Sequence, residues 1–404
     1  MLSRRKALKS LSSLPFIGGL FGGGLINSEA LGQHITGPVA RDLFKELGIR
    51  TFINAAGTYT AMTGSLMPEE VTSAITYGAN DYVNLDELQD KVGERIAQLL
   101  ECEYATVTSG AFGAMTIGLA GVVSGMDPEK VKQLPNTDGL KNEVIVQEGH
   151  NIGYIHALLN VGVKIIFIKT SKELEKAIND KTAMLWFLNA NTAEGEIKYE
   201  EWVKLGKKHN IPTFIDCAAD VPPAENLFKF TKMGFDLVCF SGGKGLRGPQ
   251  SAGLLLGKRE YIEAARLHTP PRGETIARGM KVNKEEVLGM LVALEMYLAK
   301  DHKKEWAFWE KQIELISNSA LSVKGVKTEI HVPDYANHVP SLRIKWDQKV
   351  IKITPEEFRE RLRTGHPSIE TVGNEEMVGI TTWMMRPGQE RIVARRVKEV
   401  LENG

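Results

Sequence analysis

Between residues 104 and 257 short apolar runs alternate with helical stretches, and that rhythm limits the possible folds more than any other feature of the chain. The runs at 104–108, 143–147, 164–168, 183–188, 212–216, 236–240 and 253–256 are each four to six residues long and rich in Val, Ile, Leu and Phe. Residues 109–123, 152–161, 172–178 and 199–209 carry helical patterns between them. Residues 126–142 are polar, with Pro128 and Pro135, and read as a loop or short helix. Strands buried on both faces are apolar throughout, and parallel strands need crossover helices. The rhythm therefore predicts an α/β fold with a parallel sheet covered on both faces. Ligands of such sheets sit beyond the carboxyl ends of the strands.

The flanks differ in character. Residues 38–50, 68–79 and 85–100 read as helices, and residues 51–59 as a short extended piece that turns at Gly57. Residues 285–299 and 306–319 are long helical stretches. Beyond them, strand patterns at 327–332, 340–346 and 378–385 mix with helical ones at 355–363 and 390–401, which is the pattern of a small α+β domain. The expected division is a signal segment at 1–32, a large domain with an N-terminal arm at 33–300, and a small C-terminal domain at 301–404. A chain of 404 residues with 43% apolar content has room for both.

Residues 1–32 read as an export signal. Ser3-Arg4-Arg5-Lys6-Ala7-Leu8-Lys9 carries twin arginines, an apolar glycine-rich stretch covers 14–26, and Ser28-Glu29-Ala30 offers small residues for cleavage. Pro15 and the glycines argue against a membrane-spanning helix. The expected location is the periplasm, reached by the twin-arginine route, which carries folded proteins. Fifty basic residues balance fifty acidic ones. No basic excess marks the chain as a nucleic-acid binder. The three cysteines, Cys102, Cys217 and Cys239, are far apart, so neither a zinc site nor a disulfide framework is expected. Cys217 and Cys239 lie in apolar runs and should be buried.

The chemistry centres on Ser241-Gly-Gly-Lys244-Gly-Leu-Arg-Gly248-Pro-Gln, where one lysine sits among four glycines just after a strand. A desolvated lysine at a strand end is a nucleophile for a carbonyl. Three other readings compete. Gly243-Lys-Gly-Leu-Arg-Gly248 matches the dinucleotide pattern, but Pro249 follows where a helix should begin. A phosphate-binding Walker loop fails because Gly245, not Ser or Thr, follows the lysine. A solvated surface turn remains open. Other strand ends carry suitable groups. Ser109-Gly110-Ala111 opens a helix whose amides suit an anion, although Ser109 also reads as an ordinary cap. His150 follows the strand at 143–147. Asp216 ends an apolar strand, where an unpaired carboxylate is costly, though it also reads as a helix cap before Cys217-Ala-Ala.

The lysine loop, the Asp216-Cys-Ala-Ala segment, Gly279-Met-Lys-Val-Asn-Lys-Glu-Glu286 with Leu294-Glu295, Asn54-Ala-Ala-Gly57-Thr58 and Arg363-Thr-Gly-His-Pro-Ser-Ile369 together resemble the SelA-like (selenocysteine synthase-like) branch of the fold-type I enzymes that use pyridoxal 5'-phosphate. The resemblance runs from about residue 40 to the C-terminus. It implies a fold-type I transferase architecture, with a mostly parallel seven-stranded sheet and a small α+β C-terminal domain. It also implies a homodimer or higher oligomer with sites at subunit interfaces. It assigns Lys244 to the cofactor's aldehyde as a Schiff base and Asp216 to its pyridine nitrogen, and places Ser109, Gly110, Ala111 and Ser241 near its phosphate. His150 is the expected ring stacker, by its position after the strand that follows the phosphate loop. Arg363 is the expected anchor of a substrate carboxylate, with Arg386 its rival. Gly57 lies in the substrate region, and Arg278 and Lys281 offer cations to a phosphate or substrate anion. No metal is expected.

The expected activity is elimination or replacement on a small amino acid or amino-sugar acid, a lyase or transferase reaction. Lys244 would remove the α-proton, and the protonated ring would hold the resulting electron pair. Transamination is the runner-up. A selenocysteine-synthase-type reaction on seryl-tRNA is disfavoured by the export signal, the balanced charge and the short sequence before the large domain. An NAD-dependent oxidoreductase and a non-catalytic binding protein of the same fold are the alternatives from other classes.

Overall fold

The computed structural model describes residues 41–404. The candidate export signal at 1–32 lies outside the described residues. The described end of the first unit, residues 41–51, holds one helical turn, Leu43–Glu46. Asp42 caps it by accepting from the Lys45 N–H at 3.0 Å. Of the helix expected over 38–50, only this turn forms among the described residues.

From Phe52 onward the chain is one compact unit. Its strands are β1 (Ile53–Asn54), β2 (Tyr104–Thr108), β3 (Glu143–Gln147), β4 (Lys164–Ile168), β5 (Thr182–Leu188), β6 (Thr213–Asp216), β7 (Leu237–Ser241) and β8 (Gly253–Gly257). They continue with β9 (Val326–His331), β10 (Ser341–Trp346), β11 (Ile369–Glu370), β12 (Val372–Gly373) and β13 (Val378–Thr381). Seven of them make the large sheet, in the order β2-β8-β7-β6-β5-β3-β4. All are parallel except β8, which runs antiparallel between β2 and β7. This is the mostly parallel seven-stranded sheet expected from the sequence.

Successive side chains on each strand point to opposite faces, and two separate cores result. Val144, Val146, Trp186, Phe214, Leu237 and Leu255 pack on one face with the helix Gly110–Ser124. Ile145, Leu185, Phe187, Ile215, Val238 and Leu254 pack on the other, with residues of the helices Leu85–Leu100, Tyr199–His209 and Lys284–Leu298. The helix Gly110–Ser124 is buried on nearly every side, as a helix apolar all round must be. It lies against the helix Arg259–Arg266 so closely that a Cβ at Gly121 would stand 2.5 Å from the Ala265 nitrogen. That helix and another at Asn226–Met233 are absent from the sequence reading.

The second sheet is antiparallel, in the order β12-β13-β10-β9. Its core includes Ile313, Ile316, Leu342, Ile344, Phe358, Ile380 and Val397. β1 pairs in parallel with β11, and Ile53 and Ala55 join this core. The arm that the sequence assigns to the large domain is thus built into the C-terminal core. The three cysteines are free, and Cys217 and Cys239 are buried. Among the described residues no helix is long and apolar enough to cross a membrane, and no cluster of metal-ligating side chains occurs.

The helix contact at Gly121 yields a test. Gly121→Ala should destabilise the protein by about 1–3 kcal/mol, because overpacking against backbone outweighs the gain of about 1 kcal/mol in helix propensity. Gly153→Ala, where a Cβ meets nothing within 4 Å, should leave the urea midpoint almost unmoved.

Candidate active site

The parallel strands end on one edge of the large sheet, and β8 begins there. Its first residue, Gly253, stands opposite both Thr108 and Ser241. The turn after β2, the turn after β7 and the end of β6 therefore converge.

The lysine loop is held from several directions. The Gly242 N–H donates to the Ala252 carbonyl at 2.8 Å, and the Gly248 N–H to the Gly242 carbonyl at 2.8 Å. Its glycines serve close approach, since all have ordinary φ, and the left-handed residue is Arg247, with φ of 55°. A Cβ at Gly245 would lie 2.0 Å from the Val221 carbonyl oxygen. The Arg247 Nη2 donates to the Trp383 carbonyl at 2.6 Å and ties the loop to the C-terminal half. The Met290 sulfur, on the helix Lys284–Leu298, fills the space beside Gly242 and Gly248. That helix begins in a capping box formed by Asn283 and Glu286, and Glu286 also accepts from the Ser251 hydroxyl. The Gly279–Glu286 motif thus buttresses the lysine loop.

Lys244 lines a cavity of about 210 Å³ with Asp216, Gly110, Ala111 and Ser241. Asp216 is fully buried. Its Oδ1 accepts from the Ala218 N–H at 2.9 Å, and the Cys239 thiol lies 3.6 Å away as a weak donor. Burial raises the pKa of Asp216, with the Ala218 N–H, the Lys244 charge and the Cys239 thiol opposing. Burial lowers that of Lys244, with Asp216 and Asp220 opposing. In both groups desolvation outweighs mutual attraction, and no carboxylate stands within 4 Å of the Lys244 amine among the described residues. Such an Asp216 favours a cation arriving beside it, and such a lysine tends toward the neutral, nucleophilic amine. Gly110 opens the helix Gly110–Ser124 with φ of 72°, and the first-turn amides have no side-chain cap from Ser109. Free amides at a helix start suit a phosphate. A cavity with a buried carboxylate, a lysine amine and an anion cradle fits pyridoxal phosphate.

Other expected site residues lie elsewhere. The Ser109 hydroxyl packs against Gly113 and faces a small neighbouring cavity. His150 is buried outside the cavity. Its Nδ1 accepts from the Leu188 N–H at 3.2 Å, and its ring meets Phe187 edge-on at 4.5 Å. Burial lowers its pKa to about 4, helped by Lys198 and opposed by a hydrogen bond with the Asn191 backbone. It does not stand as a ring stacker here, and the cavity's aromatic side chains are Phe112 and Tyr154. Arg363 pairs with Glu360 at 3.3 Å and with Glu370 at 3.7 Å, and Arg386 is exposed. Neither lines the cavity, and neither do Arg278 and Lys281. Gly57 is buried in a turn that the Asn54 side chain closes, donating to the Gly57 carbonyl and accepting from the Ala56 and Gly57 N–H groups.

The sequence reading missed Asp220. It lines the cavity and is 2% exposed. Its Oδ1 accepts from the Ala336 N–H at 3.0 Å. Burial raises its pKa to about 6, reinforced by Asp216 and opposed by Asn189, the Ala336 N–H and Lys244. The available signal was a second Asp four residues after Asp216 with only small residues directly before it.

The comparisons agree with this geometry. The family model for L-seryl-tRNA selenium transferase (SelA) matches residues 157–326. The D-glucosaminate-6-phosphate ammonia lyase of Salmonella typhimurium is 25% identical over 90% of this chain and 98% of its own length. The L-seryl-tRNA(Sec) selenium transferase of Aquifex aeolicus is 28% identical over 80% of this chain and 77% of its own. A solved D-glucosaminate-6-phosphate ammonia-lyase superposes with a TM-score of 0.79 at 24% identity, covering 90% of this chain and 99% of that one. The serine palmitoyltransferase of Sphingomonas wittichii superposes at 0.57 with 11% identity, covering 88% of each chain. Fold and site together define a fold-type I enzyme that uses pyridoxal phosphate. Within that class the chain is similar to the SelA transferases and to the amino-sugar-acid ammonia lyase, the likeness its sequence motifs also carry.

The buried carboxylate sets a pH dependence. Asp220 holds its proton up to about pH 6 in the folded chain, against 3.8 for an ordinary aspartate. Between those values the folded state binds more protons than the unfolded state. The stability that Asp220 contributes is therefore complete below the lower value and is lost as pH rises through about 6. Asp220→Asn keeps an acceptor for the Ala336 N–H and removes the charge. Relative to the parent, it should gain about 1–3 kcal/mol on going from pH 4 to pH 8, measured by urea unfolding of the cofactor-free protein.

Proposed function

We propose that the chain is a pyridoxal-phosphate-dependent lyase that eliminates a group from Cβ of a small amino acid or amino-sugar acid, with replacement at Cβ as the related transferase outcome. The observation that carries this reading is the single cavity shared by Lys244, Asp216 and the first amides of the helix Gly110–Ser124. When bound, the cofactor supplies a sink for the electron pair left at the substrate's Cα.

The residues divide the work. The Lys244 amine would hold the cofactor's aldehyde carbon and, when freed, would serve as the base for the α-proton. Its burial keeps the amine poised for both tasks. The Asp216 carboxylate would stand at the ring nitrogen and keep it protonated. Gly110, Ala111 and Ser241 receive the phosphate. The alignment with the ammonia lyase over 98% of that enzyme's length supports an amino-sugar acid as the substrate class. The balanced charge argues against a transfer-RNA substrate.

Two further assignments belong to this reading. Residues 66–83 expose Leu66, Met67, Tyr77, Tyr82 and Val83. Apolar exposure of that extent on one stretch supports a homo-oligomer. The twin arginines at Arg4 and Arg5 support export to the periplasm.

The purified protein should be yellow, and borohydride should fix the cofactor to Lys244. Lys244→Ala should lose that covalent attachment. Asp216→Asn should keep the cofactor and lose about 100-fold in turnover. A screen of amino acids and amino-sugar acids for a change in cofactor absorbance identifies the substrate. A colourless protein that binds NAD would overturn the reading. In cell fractionation the protein should appear in the periplasm, and Arg4→Lys with Arg5→Lys should hold it in the cytoplasm. Sedimentation should give at least twice the mass of the purified chain as determined under denaturing conditions.

A further inference from the structure

Asp220 is a second carboxylate in the cavity of Lys244, and the reading above gives it no work. Its backbone is pinned, since its N–H donates to the Cys217 carbonyl at 3.1 Å and its carbonyl accepts from Asn226 Nδ2 at 2.8 Å. One side-chain oxygen is committed to the Ala336 N–H. The other, Oδ2, is buried with no donor at normal hydrogen-bond distance, and the Asn189 side chain is the neighbouring polar group that acts on the carboxyl. The residue lines the cavity of Lys244 and also a neighbouring cavity of about 380 Å³. A buried polar atom that lacks a partner is costly, so Oδ2 at a cavity wall is placed for a ligand or a proton.

We propose that Asp220 is the acid of the elimination, the group that gives a proton to whatever leaves Cβ. This rests on the lyase reading of the same site. Lys244 is committed to the α-proton and Asp216 to the ring nitrogen. A hydroxide or amide ion expelled into a buried cavity is too costly without a proton. In the step, the Lys244 amine takes the proton from Cα. That C–H electron pair becomes the Cα–Cβ double bond as the bond from Cβ to the leaving group breaks. The leaving group keeps the pair of the broken bond and takes the proton from Asp220 Oδ2. Asp220 is left as a carboxylate and regains its proton from water. Asp216 and Lys244 face it in the shared cavity, and Lys229, Tyr199, Asp334, Tyr335 and His338 line the neighbouring one. Burial holds its proton into the range where the step needs it.

The test compares the holoenzyme with Asp220→Asn, which keeps the bond to Ala336, and with Asp220→Ala, which breaks it. D- and L-serine must lose hydroxide with a proton, whereas β-chloro-D- and β-chloro-L-alanine lose chloride without one. Asp220→Asn should remain yellow and exchange the Cα hydrogen with deuterated water at the parent rate. It should form pyruvate from serine about 100-fold more slowly, and from chloroalanine as fast as the parent. Asp220→Glu should recover part of the serine reaction. Independently of turnover, the infrared band of a protonated carboxyl should disappear from the parent between about pH 5 and about pH 8, and be missing from Asp220→Asn at both. Equal losses with both leaving groups, no loss with either, or a band that survives the substitution would overturn the proposal. So would a parent enzyme that exchanges the Cα hydrogen yet releases neither group. A parent that takes up no cofactor would instead overturn the lyase reading.

Discussion

The insertion of β8 between β2 and β7 is the constraint from which the site follows. At its first residue there is no space for a side chain, since a Cβ at Gly253 would lie 2.6 Å from the carbonyl carbon of Gly110 and 2.8 Å from the nitrogen of Ala111. Position 253 therefore has to be glycine for the helix Gly110–Ser124 to begin where it does. With that contact made, the free amides of the helix and the lysine loop after Ser241 open onto one cavity, although some 130 residues separate them in sequence. A parallel order alone would not do this. An extra strand running the other way lets the chain leave β7, form the loop and return at once along its neighbour. The loop is held at both ends by strand hydrogen bonds.

Placing Asp216, Asp220 and Lys244 in one buried space works against stability. Two carboxylates and one ammonium cannot all be charged there and balance, and burial pushes each toward its neutral form. The fold offsets this through packing and backbone bonds rather than through ion pairs. The Ala218 N–H holds Asp216, the Ala336 N–H holds Asp220, and Met290 fills the space beside the lysine loop. A cation held at Asp216 would relieve the cost of that buried carboxylate. The same desolvation that costs stability makes the lysine a nucleophile and a base.

What the sequence revealed follows from which residues answer to local rules. Continuous apolar runs identify buried parallel strands, and the glycines around Lys244 answer to close contacts such as Gly245 against Val221. The direction of β8 left no such mark, because its Gly-Leu-Leu-Leu-Gly pattern is equally apolar either way round. The helices Asn226–Met233 and Arg259–Arg266 are only eight residues each, and in the second four charged residues mask the apolar stripe. His150 stands outside the cavity lining, and a strand end does not reveal which way the next side chain turns. The 3₁₀ turn at Glu148–His150 carries the ring inward to the Leu188 amide. Arg363 was chosen for its chemistry, yet Glu360 and Glu370 in the same part of the chain engage it. Asp220 was hidden because its burial depends on a segment more than one hundred residues away.

That segment separates the two halves of the site in physical kind. The cofactor half stands on strand ends and one helix start, which rigid packing positions. The substrate half is assembled from loops. Gln250 Nε2 donates to the Thr60 carbonyl, Ser65 donates to the Gly243 carbonyl, and the residues around 336 reach Asp220. Ala336 and Asn337 are both left-handed, with φ of 49° and 47°, a conformation that asparagine adopts readily but alanine seldom does without restraint. The restraint is visible: the Ala336 N–H binds the Asp220 carboxylate, and the Asn337 N–H donates to the Ala219 carbonyl at 2.7 Å. The C-terminal half therefore sets where Asp220 stands relative to Lys244. The sheet and the helix start fix Lys244, Asp216 and Gly110, whereas these loop contacts set the rest of the cavity wall. Changes there would move Asp220 and reshape the cavity without disturbing the sheet.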